Sequence, residues 1–185
     1  MTVKKPEPTG EAGVRVLGID PGSRVAGYAL VEERSGTVSL VQAGTLRPDP
    51  ALPMAQRMAR LYRGIADLID QYTPDEAAME EIFTAKNAAS ALVLGQARGA
   101  ILAACGMHAV PLASYEPSVV KKTLVGTGRA EKEQVAFMVR RILGLPDTTP
   151  YATDATDAMA VAVCHLNHRR FARLAATAGG GRGGP

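Results

Sequence analysis

The sequence predicts an α/β domain in which a five-stranded mixed sheet is flanked by helices. Three observations carry this reading. Apolar runs at 14–20, 27–33 and 37–46 are separated by short connectors holding Gly22 and Ser35-Gly36, the signature of antiparallel hairpins. From residue 53 onward, segments with helical spacing alternate with short apolar strands. The chain has 185 residues, 46% of them apolar, enough to bury one ordinary core.

The elements follow in order. Segments 14–20 (VRVLGID), 27–33 (GYALVEE) and 37–46 (TVSLVQAGTL) form the first three strands. Residues 53–71 form an amphipathic helix, with Met54, Met58, Leu61, Ile65, Leu68 and Ile69 on one side and Pro53 in its first turn. Residues 76–83 are the fourth strand. Asn87 caps a helix over 88–107 that is apolar nearly all round, so it is buried in the fold or against a second subunit. Its Gly95 and Gly99, each costing about 1 kcal/mol relative to Ala, point to a close backbone approach. Residues 109–115 are the fifth strand, and 117–124 and 131–143 are short helices around VGTGRA. Thr153 or Asp154 caps a last helix reaching about residue 176. Residues 1–13 form a disordered extension and 177–185 a flexible Gly-rich tail around the single domain 14–176.

Composition narrows the function. Trp is absent and aromatics are 4%, so the core is aliphatic and Ala-rich. No apolar run free of polar interruption reaches the length of a membrane span, and none follows Lys4 and Lys5 to make a signal peptide. Cys105 and Cys164 lie in Ala/Val-rich helical patterns, as buried thiols of a cytoplasmic protein do. Two Cys and three scattered His do not make a zinc site. Residues 1–83 carry nine basic and twelve acidic side chains, whereas residues 84–185 carry twelve basic and six acidic. The net +6 of the second half favours a polyanionic partner such as nucleic acid.

Four acids stand out: Asp20, Glu80, Asp154 and Asp157. Each has an ordinary explanation. Asp20-Pro21-Gly22 is turn chemistry, or the start of a phosphate-binding loop, with Gly18 and Gly22 leaving room beside the acid for a ligand. Glu80 and Glu81 are adjacent on a strand, and periodicity does not choose between them. Asp154 and Asp157 are three apart at a helix start, where acids suit the cap and the dipole. Jointly they give D…E…DxxD on strand, strand and helix. Carboxylates on apolar elements are costly unless paired or bound to metal. Four of them fit a hard-cation site that hydrolyses a phosphodiester with two metal ions ~3.5–4 Å apart.

The segments GIDPGSRVAGYAL, AMEEIFTAKNAASALVLGQARG, VVKKTLVGTGRAEKEQV and DATDAMAVAVCH resemble the RuvC family of Holliday junction resolvases, over roughly residues 14–170. The resemblance implies a ribonuclease-H-like fold and a homodimer. It implies Mg²⁺-dependent cutting of four-way DNA junctions, two ions per site with Mn²⁺ as a substitute, and paired nicks on opposing strands. It implies Asp20, Glu80, Asp154 and Asp157 as catalytic metal ligands, and so selects Glu80 over Glu81. A branch-migration helicase complex is the implied partner.

Further DNA contacts are expected from residues around these motifs. Phe83 is a core residue or an aromatic that stacks on an unpaired base, and the resemblance favours stacking. Lys86 and Asn87 reach phosphates, unless Asn87 is only a cap. Gly126 and Gly128 free the loop to turn its N–H groups towards an anion, with Lys121, Lys122, Arg129 and Lys132 as phosphate contacts and Arg140 and Arg141 merely solvated. Two other functions compete: an actin-like nucleotide phosphotransferase, which needs a second lobe, and a non-catalytic junction-binding scaffold.

Overall fold

A computed structural model of the chain describes residues 13–81 and 88–179. The elements are β1 (Val14–Asp20), β2 (Ala26–Arg34), β3 (Thr37–Leu46), α1 (Met54–Tyr72), β4 (Glu76–Glu80), α2 (Ala88–Met107), β5 (Leu112–Tyr115), α3 (Pro117–Val125), α4 (Lys132–Ile142) and α5 (Thr153–Gly179). The five strands form one sheet in the order β3-β2-β1-β4-β5. The first three are antiparallel, and β4 and β5 add in parallel. The β2–β3 turn has Ser35 at φ 48° and Gly36 at φ 82°, the two positive values a tight hairpin uses.

Boundaries differ from the sequence reading in a few places. The fifth strand begins at Leu112, not at 109, because Ala109 sits at φ 53° as the chain leaves α2 and Pro111 lacks an N–H. The fourth ends at Glu80, so Glu81 falls outside it, and 82–83 of its expected span lie outside the described residues. Thr153 and Asp154 are inside the first turn of α5, not before it. Both tails assigned from sequence also fall largely outside the described residues.

The sheet separates two cores. On one face Leu17, Ile19, Leu30, Ala77 and Met79 pack against Leu61, Ile65 and Ile101 of α1 and α2. On the other, Val16, Ala29, Val31 and Ala78 pack against α5, whose far side is covered by Val120 and Leu124 of α3 and Val135 and Val139 of α4. Residues 158–164 of α5 are therefore buried without interruption, as a helix apolar on every side must be. Each large aliphatic side chain so buried contributes about 1.5–3 kcal/mol. A polar clasp adds direction: His165 Nε2 and Arg169 Nε each lie 2.7 Å from an oxygen of Glu76 on β4, and the Tyr115 hydroxyl is 2.8 Å from His165 Nδ1.

Helix α2 departs from expectation. By length and composition alone it is long and apolar enough to cross a membrane, although Ser90, Gln96 and Arg98 interrupt its apolar run. Only Ala97, Ile101, Ala104 and Cys105 are buried, while Leu92 and Met107 are 66% and 75% exposed. Among the described residues nothing lies within 4 Å of a Cβ built on Gly95 or Gly99, so the close approach expected there is not made to any of them. Both cysteines are free and buried, as expected.

Candidate active site

The site begins with strand register. Ile19 pairs with Met79 across the parallel β1–β4 ladder, so Asp20 and Glu80, each the last residue of its strand, end side by side at one sheet edge. Alternation then decides which glutamate belongs here. Ala78 lies in the core under α5, and Met79 in the core under α1 and α2. Glu80 shares the face of Ala78, while Glu81 takes the parity of Met79.

Two glycines bring α5 to the same place. A Cβ on Gly18 would lie 2.2 Å from the Ala158 carbonyl oxygen and 2.8 Å from the Ala162 methyl. A Cβ on Gly27, the partner of Asp20 across β1–β2, would lie 1.9 Å from the Asp154 carbonyl oxygen. Only glycine lets the helix backbone rest on the strands, and this sets Asp154 and Asp157 over the end of β1. The room expected beside Asp20 for a ligand is thus filled by protein at Gly18. At Gly22 the turn itself fills it, through the Val25 carbonyl.

All four acids are half-buried. Burial, reinforced by the fields of Glu80, Asp157 and Asp154, pushes the Asp20 carboxyl up to about 7, against the smaller opposing pull of Lys132. Glu80 is raised by burial and then by Asp157, with Lys132 and Lys121 acting against the shift. Lys132 Nζ lies 3.2 Å from Asp157 Oδ2, and this contact raises the ammonium's own pKa. Among the described residues no group of three or more acidic, His or Cys side chains is gathered tightly enough to hold a metal ion. The acids share a field, and an ammonium sits at its margin. The donor set is all hard oxygen and carries excess negative charge, which fits Mg²⁺ or Mn²⁺ and does not fit a softer metal.

The expected DNA contacts divide. Phe83, Lys86 and Asn87 lie outside the described residues. Lys121 and Lys132 stand beside the acids. Lys122 and Arg129 are exposed on α3 and the α3–α4 loop. Part of that loop's N–H set is already engaged. The amide of Arg129 is bonded to Thr127 Oγ1, that of Ala130 to the Thr127 carbonyl and that of Glu131 to Gln134 Oε1 in a capping box. Arg140 is not merely solvated either: it donates to the carbonyls of Pro146 and Thr149.

Two residues that sequence reasoning passed over position the acids. Arg98 of α2 donates to the Glu80 carbonyl at 3.0 Å and to Ser114 Oγ at 2.6 Å, tying the ends of β4 and β5. As the one charged residue in a helix of twenty, it was a visible signal. Arg57 of α1 donates to the Ser23 carbonyl in the turn after Asp20; nothing in the sequence marks it.

A five-stranded sheet of this order, with acids at one edge beneath the start of a long helix, is the ribonuclease-H-like architecture, here in its endonuclease form. The structure matches that of Thermus thermophilus RuvC with a TM-score of 0.78 at 33% identity, covering 86% of this chain and 97% of that one. It matches T. thermophilus RuvC in complex with a Holliday junction substrate with a TM-score of 0.81, also at 33% identity, covering 86% and 96%. In sequence, the chain is 54% identical over 168 residues to the crossover junction endodeoxyribonuclease RuvC of Nitratidesulfovibrio vulgaris (strain DP4), covering 90% of this chain and 99% of that protein. The family model for crossover junction endodeoxyribonuclease RuvC matches residues 16–165. The chain belongs to the RuvC family of crossover junction endodeoxyribonucleases.

Proposed function

We propose that the protein resolves four-way DNA junctions by paired nicks, with Asp20, Glu80, Asp154 and Asp157 as the metal-holding groups of each active site. The observation that carries this reading is the shared field of four carboxylates, drawn from two strands and a helix to one sheet edge. Two divalent cations per site, Mg²⁺ or Mn²⁺, supply the activated water and the stabilised leaving 3′-oxygen when bound. The chain's own part is placement. Asp20 and Glu80 are fixed by strand register and Asp154 and Asp157 by the seating of α5. The raised affinity of Asp20 and Glu80 for protons marks a site that gains by exchanging them for a cation. Lys132 pairs with Asp157, and with a cation held there it would be available to a phosphate, with Lys121 beside it. Lys122 and Arg129 extend the phosphate track, and Phe83, Lys86 and Asn87 complete it.

The exposed apolar face of α2, with Leu92 and Leu102 and the bare backbone at Gly95 and Gly99, supports a homodimer built on this helix. A two-fold pair of sites matches the near-symmetry of an open junction. The work belongs in the cytoplasm, where Cys105 and Cys164 stay reduced, beside a branch-migration helicase complex. The deciding experiment is incubation with a synthetic four-way junction and a linear duplex, with and without Mg²⁺. Symmetric nicks on the junction alone, lost in Asp20→Asn while binding survives, support the proposal. Wild-type-rate nicking by Asp20→Asn removes the site assignment.

A further inference from the structure

The end of β3 and the middle of α1 border a pocket of about 420 Å³ that the active site does not use. Its floor is Leu46 against Gly64, where a Cβ would lie 2.9 Å from the Leu46 methyls. Its mouth carries three arginines, Arg47, Arg60 and Arg63, and one acid, Asp67. Arg60 and Arg63 are three apart and so share a side of α1. Arg63 Nε reaches back to the Ala59 carbonyl at 3.3 Å, and Arg47 Nε donates to Thr45 Oγ1 at 3.1 Å. Among the described residues no carboxylate forms an ion pair with any of the three. Three guanidinium groups around a concavity repel one another, and an oxyanion that accepts forked hydrogen bonds relieves this.

The position of the pocket limits what that anion is. Asp20 pairs with Gly27, and Gly27 pairs with Thr45, so the three form one row across β1, β2 and β3. Strands are ~4.8 Å apart, which puts Thr45, and with it the Arg47 anchor, ~10 Å from Asp20 along the active-site edge. One DNA strand places a phosphate every ~3.4 Å of helix axis, and neighbouring phosphates are farther apart than this rise, so ~10 Å spans at most about three base steps.

We propose that Arg47, Arg60 and Arg63 form a seat for a backbone phosphodiester of one junction arm, within about three nucleotides of the scissile bond. The inference rests on the endonuclease reading and adds a site outside the carboxylate cluster. Such a contact positions the arm and reads no base.

The test compares Arg60→Gln/Arg63→Gln with wild type and with Arg34→Gln, whose exposed arginine lies at the opposite edge of the sheet. Binding of a four-way junction is titrated across salt concentrations, with thermal melts to confirm folding. The expected result is severalfold weaker binding and a log K against log salt slope shallower by about 0.9 for each phosphate no longer neutralised. Arg34→Gln should change neither, and Asp67→Asn should tighten binding. Nicking at saturating protein should stay near the wild-type rate. A neutral methylphosphonate linkage within about three nucleotides of the cut should weaken wild type and leave the double variant unaffected. An unchanged slope in the double variant, or equal sensitivity of both proteins to the neutral linkage, overturns the seat. Free inorganic phosphate occupying the pocket with junction binding intact also overturns it. Loss of junction binding and nicking by wild type itself would instead strike the endonuclease reading.

Discussion

Gly27 has no side chain because the Asp154 carbonyl oxygen lies where its Cβ would be, at 1.9 Å. Gly27 is also the strand partner of Asp20. One residue therefore fixes the spacing between the acid on β1 and the pair on α5. Gly27→Ala should push the start of α5 outward. Overpacking against backbone costs about 1–3 kcal/mol, read as a melting temperature several degrees lower. Nicking should fall much more than junction affinity. Gly36→Ala, at a turn with open space around it, should lower stability through its φ of 82° but leave nicking per folded molecule unchanged.

The two adjacent glutamates should separate cleanly. Glu80→Gln is expected to lower single-turnover nicking by about 100-fold or more, since even outer partners of metal ligands are worth ~10–100-fold. Glu81→Gln should stay within about twofold, as surface changes do. Equal losses would mean that strand parity does not define the site.

The Asp20 carboxyl gives a pH signature in the metal-free protein. Its folded pKa of about 7 exceeds the ordinary value of 3.8, so between these values the native state binds the proton that the unfolded chain has released. Stability from this group is then present at low pH and is lost as pH rises from about 4 to 7. The difference in stability between wild type and Asp20→Asn should move in that direction across the range. Added Mg²⁺ should raise the wild-type melting temperature and release protons, measurable by calorimetry in buffers of different ionisation enthalpy. A flat difference across this pH range would remove the buried, repelled Asp20 from the account.

Arg98→Met keeps much of the stem but leaves the Glu80 carbonyl and the Ser114 hydroxyl without their donor. The expected loss is about 1–3 kcal/mol of stability, with nicking reduced beyond what the unfolded fraction explains. Unchanged chemical denaturation would show that the tie is idle.

Leu92→Glu tests the face of α2. With 66% of its surface exposed in the single chain, Leu92 supports little of the fold. The substitution should leave melting of the subunit nearly unchanged while light scattering reports half the mass and paired nicking disappears. A variant that keeps the wild-type mass would place the dimer contact elsewhere.

The antiparallel pairing of β1 to β3 can be anticipated because hairpin connectors and period-two alternation are local signals, and these strands obey them. The four acids are visible because carboxylates on apolar elements are unusual. The choice of Glu80 over Glu81 is not visible in periodicity, because it depends on which core lies under Ala78 and which under Met79. The role of Gly18 differs from expectation for a related reason: a glycine looks the same in sequence whether it admits a ligand or a helix. The loop holding Gly126 and Gly128 is expected to turn its amides to an anion, and sequence does not show that Thr127 and Gln134 take up those of Arg129, Ala130 and Glu131. Arg57 and the arginine pocket stay hidden because their meaning comes from strand pairings and helix packing that bring distant stretches of the chain together.

Because residues 158–164 of α5 are buried without interruption and its backbone rests on the strands at Gly18 and Gly27, its opening turn is anchored to the sheet. The acids it carries are therefore held by the same packing that holds the domain together. Adjustment on meeting a branched duplex must come from the nucleic acid and from the chain's periphery, so discrimination between substrates becomes a question of which DNA can bend to reach a fixed blade.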